Sequence, residues 1–243
     1  MSQIAQDSSV VRRRRPLTVG RSLGNLLLKL GLTAGVLALA GCPVAYILWP
    51  RWPDQITLDA PTLPITIGRL PLNVPPAAVR VALQRRAGTQ ERIDLVFLWP
   101  SLAPPDPAAK PTPADVLSVA DRIFVTIAAS DSTPPPPQRF KTIYPRYTAD
   151  STSTGPDGLL LQSFRSDTPY QGEDLLYEQA APEHFFVRCT RKSGPAPGMC
   201  LHEERIANAD ITVRFPRDWL ADWKSVASGI DRLISGLRPG NSK

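Results

Sequence analysis

Residues 210–237, DITVRFPRDWLADWKSVASGIDRLISGL, place a strand and a helix back to back. Ile211, Val213 and Phe215 alternate with Thr212 and Arg214, the period of a half-buried strand. Pro216 follows, at a position where a helix start tolerates proline. Trp219, Trp223, Val226, Ile230, Leu233 and Leu237 then recur at steps of four and three, building one apolar stripe. Asp218, Asp222, Lys224, Asp231 and Arg232 occupy the other side. Aspartates early and Arg238 late suit the helix dipole, and Gly236 with Pro239 marks the end. A helix this apolar along one side must pack on something. The simplest partner is an antiparallel sheet made by the preceding strands, which predicts an α+β layer.

Strands are available upstream. Residues 92–99, RIDLVFLW, read as one, ended by Pro100, and residues 121–129 as another, with Ile123, Val125 and Ile127 on one face. Four more candidates, 158–164, 174–178, 184–190 and 199–206, are separated by turn residues. Between the last two, KSGPAPG predicts a hairpin turn that brings Cys189 and Cys200 into cross-strand reach. A disulfide there closes a short loop, stabilising the fold by ~3 kcal/mol in the chain-entropy model. Ile65, Thr66 and Ile67 begin a short strand. Pro76 and the following AAVRVALQRR are read as a short helix, in preference to a strand built on Val79, Val81 and Leu83. The prolines at 134–137 predict a stiff surface loop rather than a polyproline docking segment. Phe140, Ile143, Tyr144 and Tyr147 have helical spacing, limited by Pro145.

The front of the chain has a different character. Residues 30–49, LGLTAGVLALAGCPVAYILW, contain no charge, and ~1.5 Å per helical residue carries them across ~30 Å, the hydrocarbon thickness of a bilayer. The net charge of +6 is concentrated before them, in Arg12, Arg13, Arg14, Arg15, Arg21 and Lys29 against Asp7, leaving the remainder near neutral. Nucleic-acid binding needs its positive field on the folded domain, so this distribution argues against it. Basic residues beside a spanning helix stay cytoplasmic, and Trp49 and Trp52 suit an interfacial anchor. The predicted organisation is a cytoplasmic tail over 1–29, a transmembrane helix over 30–49, a proline-rich linker over 50–64 and an extracytoplasmic α+β domain over 65–243. This places the protein in a bacterial-type inner membrane with its domain in the periplasm, where a Cys189–Cys200 disulfide is favoured.

Two rival readings of the apolar stretch also export the domain. Leu39-Ala40-Gly41-Cys42 has the form of a lipobox, with Cys42 as the lipidated residue, and Ala38-Leu39-Ala40 has the form of a signal cleavage site. The apolar run continues for seven residues beyond Cys42, PVAYILW, which favours an uncleaved anchor.

Catalytic signals are weak. His202-Glu203-Glu204 begins like a zinc-protease motif, but the required second histidine is Ile206. A metal site from His184, His202, Cys189 and Cys200 competes with the disulfide, and no cofactor is implied. In the acidic pairs Glu173/Asp174 and Glu203/Glu204, adjacent strand residues point oppositely, so each pair has one inward member. There is no Gly-x-Ser-x-Gly elbow or phosphate-cradling glycine loop. Tyr144, Tyr147, Tyr170 and Arg146 are the candidate contacts for an envelope protein partner, since tyrosine and arginine favour binding hot spots. The expected function is a membrane-anchored, non-catalytic binding or envelope accessory protein. The alternatives are a lipoprotein held through Cys42 and an envelope hydrolase with a dispersed site. Replacing the thiol tests the anchor: Cys42→Ala leaves both chain mass, apart from the substitution, and membrane fractionation unchanged, whereas loss of processing or of membrane retention contradicts it.

Overall fold

Side chains in register across several strands build the core, and their rows identify the sheet. The computed structural model describes residues 28–35, 39, 41, 57, 58, 60–106, 108, 121–191 and 198–240. In chain order these hold β1 (Leu63–Ile67), β2 (Leu70–Val74), β3 (Gly88–Gln90), β4 (Arg92–Leu98), β5 (Arg122–Ala129) and α1 (Pro136–Thr142). They continue with β6 (Ser153–Thr154), β7 (Leu160–Ser163), β8 (Glu173–Tyr177), β9 (Phe186–Thr190), β10 (Met199–Ile206), β11 (Ala209–Pro216) and α2 (Trp223–Gly236). Among the described residues the strands form an eight-stranded sheet in the order β4-β5-β11-β10-β9-β8-β7-β6, antiparallel throughout. A three-stranded sheet, β2-β1-β3, pairs β1 antiparallel with β2 and parallel with β3.

One row crosses the large sheet as Leu95, Val125, Val213, His202, Val187, Leu176 and Leu161. The next comprises Phe215, Cys200, Cys189, Asp174 and Ser163, and a third Ile93, Ile127, Ile211 and Glu204. The alternation read from the sequence is what aligns them, because period-two strands set side by side stack like faces. Trp223, Val226, Ile230, Leu233, Ile234 and Leu237 cover this face, together with Leu63, Ile65, Ile67, Leu70, Leu72 and Val74 of the small sheet. The α+β reading therefore stands, and it extends further than expected through the second sheet.

The C-terminal helix differs in one respect from its prediction. Residues 217–222 form a 3-10 run, and α2 starts at Trp223, where the Asp222 side chain accepts a hydrogen bond from the Ser225 amide at 3.3 Å. Trp223 stacks on Phe185 with centroids 5.0 Å apart and donates through Nε1 to the Asp157 carbonyl at 3.0 Å. Trp219 stacks on Trp99 at 5.0 Å and lies beside Phe215.

Other boundaries are corrected by packing. Residues 76–85 are not one helix. They hold two 3-10 turns, Pro76–Ala78 and Ala82–Gln84, joined through Val79, which bridges to Leu95 at the edge of β4. A continuous helix would lift Val79 and Ala78 out of the core, where both are almost fully buried. Pro136 and Pro137 are not loop: they supply the first turn of α1, where the missing N–H costs nothing. β2 was invisible behind its Pro71, which is tolerated because β2 is an edge strand. At the β10–β11 turn, Ala207 and Asn208 both have positive φ, the type I′ pattern. Gly68 packs so closely here that a β-carbon would overlap the Asn208 carbonyl oxygen, 2.3 Å away.

The chain divides into two compact units, Met1–Trp52 and Pro53–Lys243. In the first, residues 28–35, 39 and 41 are helical. No helix among the described residues is long and apolar enough to cross a membrane. Residues 1–27 of the basic tail, Cys42, the rest of the predicted span through Trp49, Trp52 and the hairpin turn at 192–197 lie outside the described residues.

The Trp99–α2 contact gives a direct test of packing. A β-carbon on Gly229 would stand 2.4 Å from the Trp99 ring, while nothing lies within 4 Å of one on Gly236. Gly229→Ala is expected to cost about 1–3 kcal/mol in urea unfolding, and Gly236→Ala to leave stability unchanged or raise it by up to ~1 kcal/mol.

Candidate binding surface

On β8, β9 and β10 the residues that alternate with the core rows point to the opposite face. They include Leu175, Phe186, Arg188 and Glu203, with Glu173 at the end of β8. The segment 136–147 lies over them. Its α1 helix ends at Thr142, and Pro145 sits at the start of a 3-10 turn, Tyr144–Arg146. The helical spacing seen in the sequence thus survives across the break, turning Phe140, Ile143, Tyr144 and Tyr147 onto the sheet.

The result is a second, smaller core of aromatic rings. Tyr144 packs edge-on against Phe164 and Tyr170, at 5.7 and 5.5 Å, and Tyr170 lies 4.8 Å from Phe164 and 5.7 Å from Tyr147. Such pairs contribute ~0.5–1.5 kcal/mol each beyond area burial. The Arg188 guanidinium enters this cluster, 5.0 Å from the Tyr170 ring and 5.8 Å from that of Tyr144. Glu173 pairs with it at 2.8 Å and Glu203 at 3.6 Å, and Arg139 of α1 reaches Glu203 at 3.3 Å. Burial opposes the charge on Arg188, but the carboxylates of Glu203 and Glu173 outweigh it and hold the group protonated. Burial also pushes the Tyr144 phenol up to about 12, so it remains neutral.

The predicted contact residues are therefore not equivalent. Tyr144 is 0% exposed and leaves no ring surface for a partner. Tyr147 and Tyr170 are half-buried, and Arg146 is exposed. Tyr144 supports from below what Tyr147 and Tyr170 present above. A cleft of about 430 Å³ lies on one side of α1, lined by Phe140, Pro145, Leu175, Tyr177 and Pro182 among others. Another of about 320 Å³ is lined by Pro135, Pro137, His184, Phe186, His202 and Glu203, with neighbours. The sequence carried no sign of the Arg188 and Arg139 roles. Alternation alone puts Arg188 on the face opposite to Cys189, but its cover comes from residues 136–147, far upstream.

Cys189 and Cys200 form the predicted disulfide, directly opposed in β9 and β10. Asp174, the next residue in that row, is buried and accepts from Arg191 and Arg217 at 2.8 Å each and from the Ser163 hydroxyl. Burial alone would raise its pKa; these hydrogen bonds outweigh that and lower it. Each acidic pair has its inward member, Asp174 in one and Glu204 in the other. His184 pairs with Glu178 at 3.2 Å, and His202 meets the Phe186 carbonyl at 3.1 Å. No group of three His, Cys, Asp or Glu side chains among the described residues is arranged to hold a metal.

No protein-family model matches the chain, and no curated protein does. Among solved structures, Smlt3025, an immunity protein of the Stenotrophomonas maltophilia type IV secretion system, is similar with a TM-score of 0.51 at 15% identity, over 75% of this chain and 94% of that one. The Neisseria meningitidis iron-regulated outer membrane lipoprotein FrpD aligns at a TM-score of 0.40 and 9% identity, over 75% of this chain and 96% of that one. The first likeness establishes a shared fold. The disulfide, for its part, suggests an extracytoplasmic location.

His202 makes the fold sensitive to acid. Burial lowers its pKa from the model-compound value near 6.5, so the unfolded chain binds a proton that the folded chain resists. Its contribution is intact above about pH 6.5 and declines as pH falls below that value. Unfolding free energy measured by urea titration from pH 7 to 5 is expected to fall, and His202→Asn to flatten the slope; an equal slope in the variant contradicts this.

Proposed function

We propose that the domain is the periplasmic part of a membrane-anchored protein that acts by binding rather than by catalysis, in the manner of an immunity protein that blocks a protein effector. The observation that carries the reading is the prebuilt aromatic surface. Tyr170 packs on the rings of Tyr144 and Phe164, and Tyr147 on Tyr170, with Arg146 exposed next in sequence to Tyr147. Rigid tyrosines lose little conformational entropy when a partner covers them, and tyrosine and arginine dominate binding hot spots. The rings rest on a half-buried arginine held by two glutamates, so the surface is supported from within the sheet. The disulfide supports the compartment, the apolar segment at 30–49 supports the anchor, and a fold shared with an immunity protein supports the role.

Competition between cells tests this reading. In the source organism, a strain lacking the protein is expected to be outcompeted at least tenfold by its parent when cells are in contact, and to be rescued by the wild-type gene. Tyr147→Ala with Tyr170→Ala, folded as judged by an unchanged thermal transition, is expected not to rescue. Equal fitness of the deletion strain and its parent, or full rescue by the double variant, contradicts the proposal.

A further inference from the structure

Residues 75–87 connect β2 to β3 and turn their chemistry inside out. Gln90 is buried, and its amide donates to the carbonyls of Gln84 and Arg86 at 3.1 and 2.6 Å. The Gln84 side chain exchanges two hydrogen bonds with Asp94, at 3.1 and 2.9 Å, and Arg85 donates twice to the Val79 carbonyl. Gln84 and Arg85 thus turn inward and are satisfied, while Leu83 is 73% and Val81 40% exposed. Arg80, its guanidinium 4.9 Å from the Phe124 ring, and Arg86 are exposed on either side of them. A tip that presents a leucine to the outside, flanked by two arginines, is chemically matched to the boundary between lipid headgroups and acyl chains.

The topology fixes where this tip lies. β2 ends with Val74 opposite Leu63, and β3 begins with Gly88 opposite Ile65, parallel to β1. Both ends of the connection therefore sit at the end of the small sheet by which the chain enters the domain. Residues 30–49, the uncharged stretch, precede β1 by only thirteen residues, 50–62. The geometry points to the Val81–Leu83 tip as a membrane-surface contact: Leu83 and Val81 enter the headgroup region of an anionic bilayer, and Arg80 and Arg86 meet its phosphates. This rests on the anchored reading of residues 30–49.

The test uses the full chain with Cys42→Ala and Leu83→Cys, the remaining two cysteines being joined in the disulfide. A nitrobenzoxadiazole fluorophore is attached at position 83 and, in a control protein, at exposed Ser151 through Ser151→Cys. Both are reconstituted into vesicles of phosphatidylethanolamine with phosphatidylglycerol, or of phosphatidylcholine alone, with doxyl-labelled lipid as quencher. Quenching at position 83 is expected to exceed that at 151 at least threefold in the anionic vesicles, and to fall at least twofold in phosphatidylcholine or with Arg80→Glu and Arg86→Glu. Position 83 quenched no more than position 151 overturns the contact while leaving the anchor standing, and quenching indifferent to lipid charge overturns the phosphate recognition. Protein that does not float with the vesicles overturns the anchored reading and the contact with it.

Discussion

Burial of one side of α2 against the core rows of the sheet is the constraint on which the domain depends. The stripe from Trp223 to Leu237 and the small sheet together close over Val213, Val125 and Ile127. Each large side chain so buried contributes ~1.5–3 kcal/mol before entropic costs. The register follows from this: slipping β11 by one residue would turn Ile211, Val213 and Phe215 away from α2. The small sheet shares the same core and is tied to α2 where the Asn73 amide donates to the Leu237 carbonyl at 2.7 Å. The disulfide joins two central strands of that layer, one row from His202, and Asp174 with its two arginines completes the row.

The opposite face is built differently, and its construction bears on function. Buried ion pairs are weak sources of stability, because desolvating both partners offsets much of their attraction. Arg188, Glu173 and Glu203 are better understood as positioning elements. They hold the tyrosine rings in one arrangement beneath α1, and breaking the set would leave a charge uncompensated among aromatic rings. Tyr144, a partner-contact candidate by residue type, belongs instead to the interior of this set.

Much of this was legible in the sequence. The period of α2, the alternation in β4, β5, β10 and β11, and the spacing of Cys189 and Cys200 each corresponded to an element in place, because in each the pattern is long and buried on one side. Where packing overrode local preference, the reading failed. Pro76 and the residues after it looked helical, but the need to seat Val79 against β4 broke them into two turns. Pro71 concealed an edge strand, and two prolines read as loop began α1. The tyrosine surface was visible only as a list of residue types. Its geometry depends on a cover folding over a strand that lies far along the chain, and no local pattern records that.

The compartment underlies every functional statement made for this domain, and the disulfide is its most direct reporter. Intact cells are quenched in acid, free thiols are blocked, and disulfides are then reduced and labelled with a second reagent before peptide mass analysis. The account predicts that Cys189 and Cys200 carry the second label in nearly all of the protein. Both cysteines carrying the first label, as free thiols in the living cell, would contradict it.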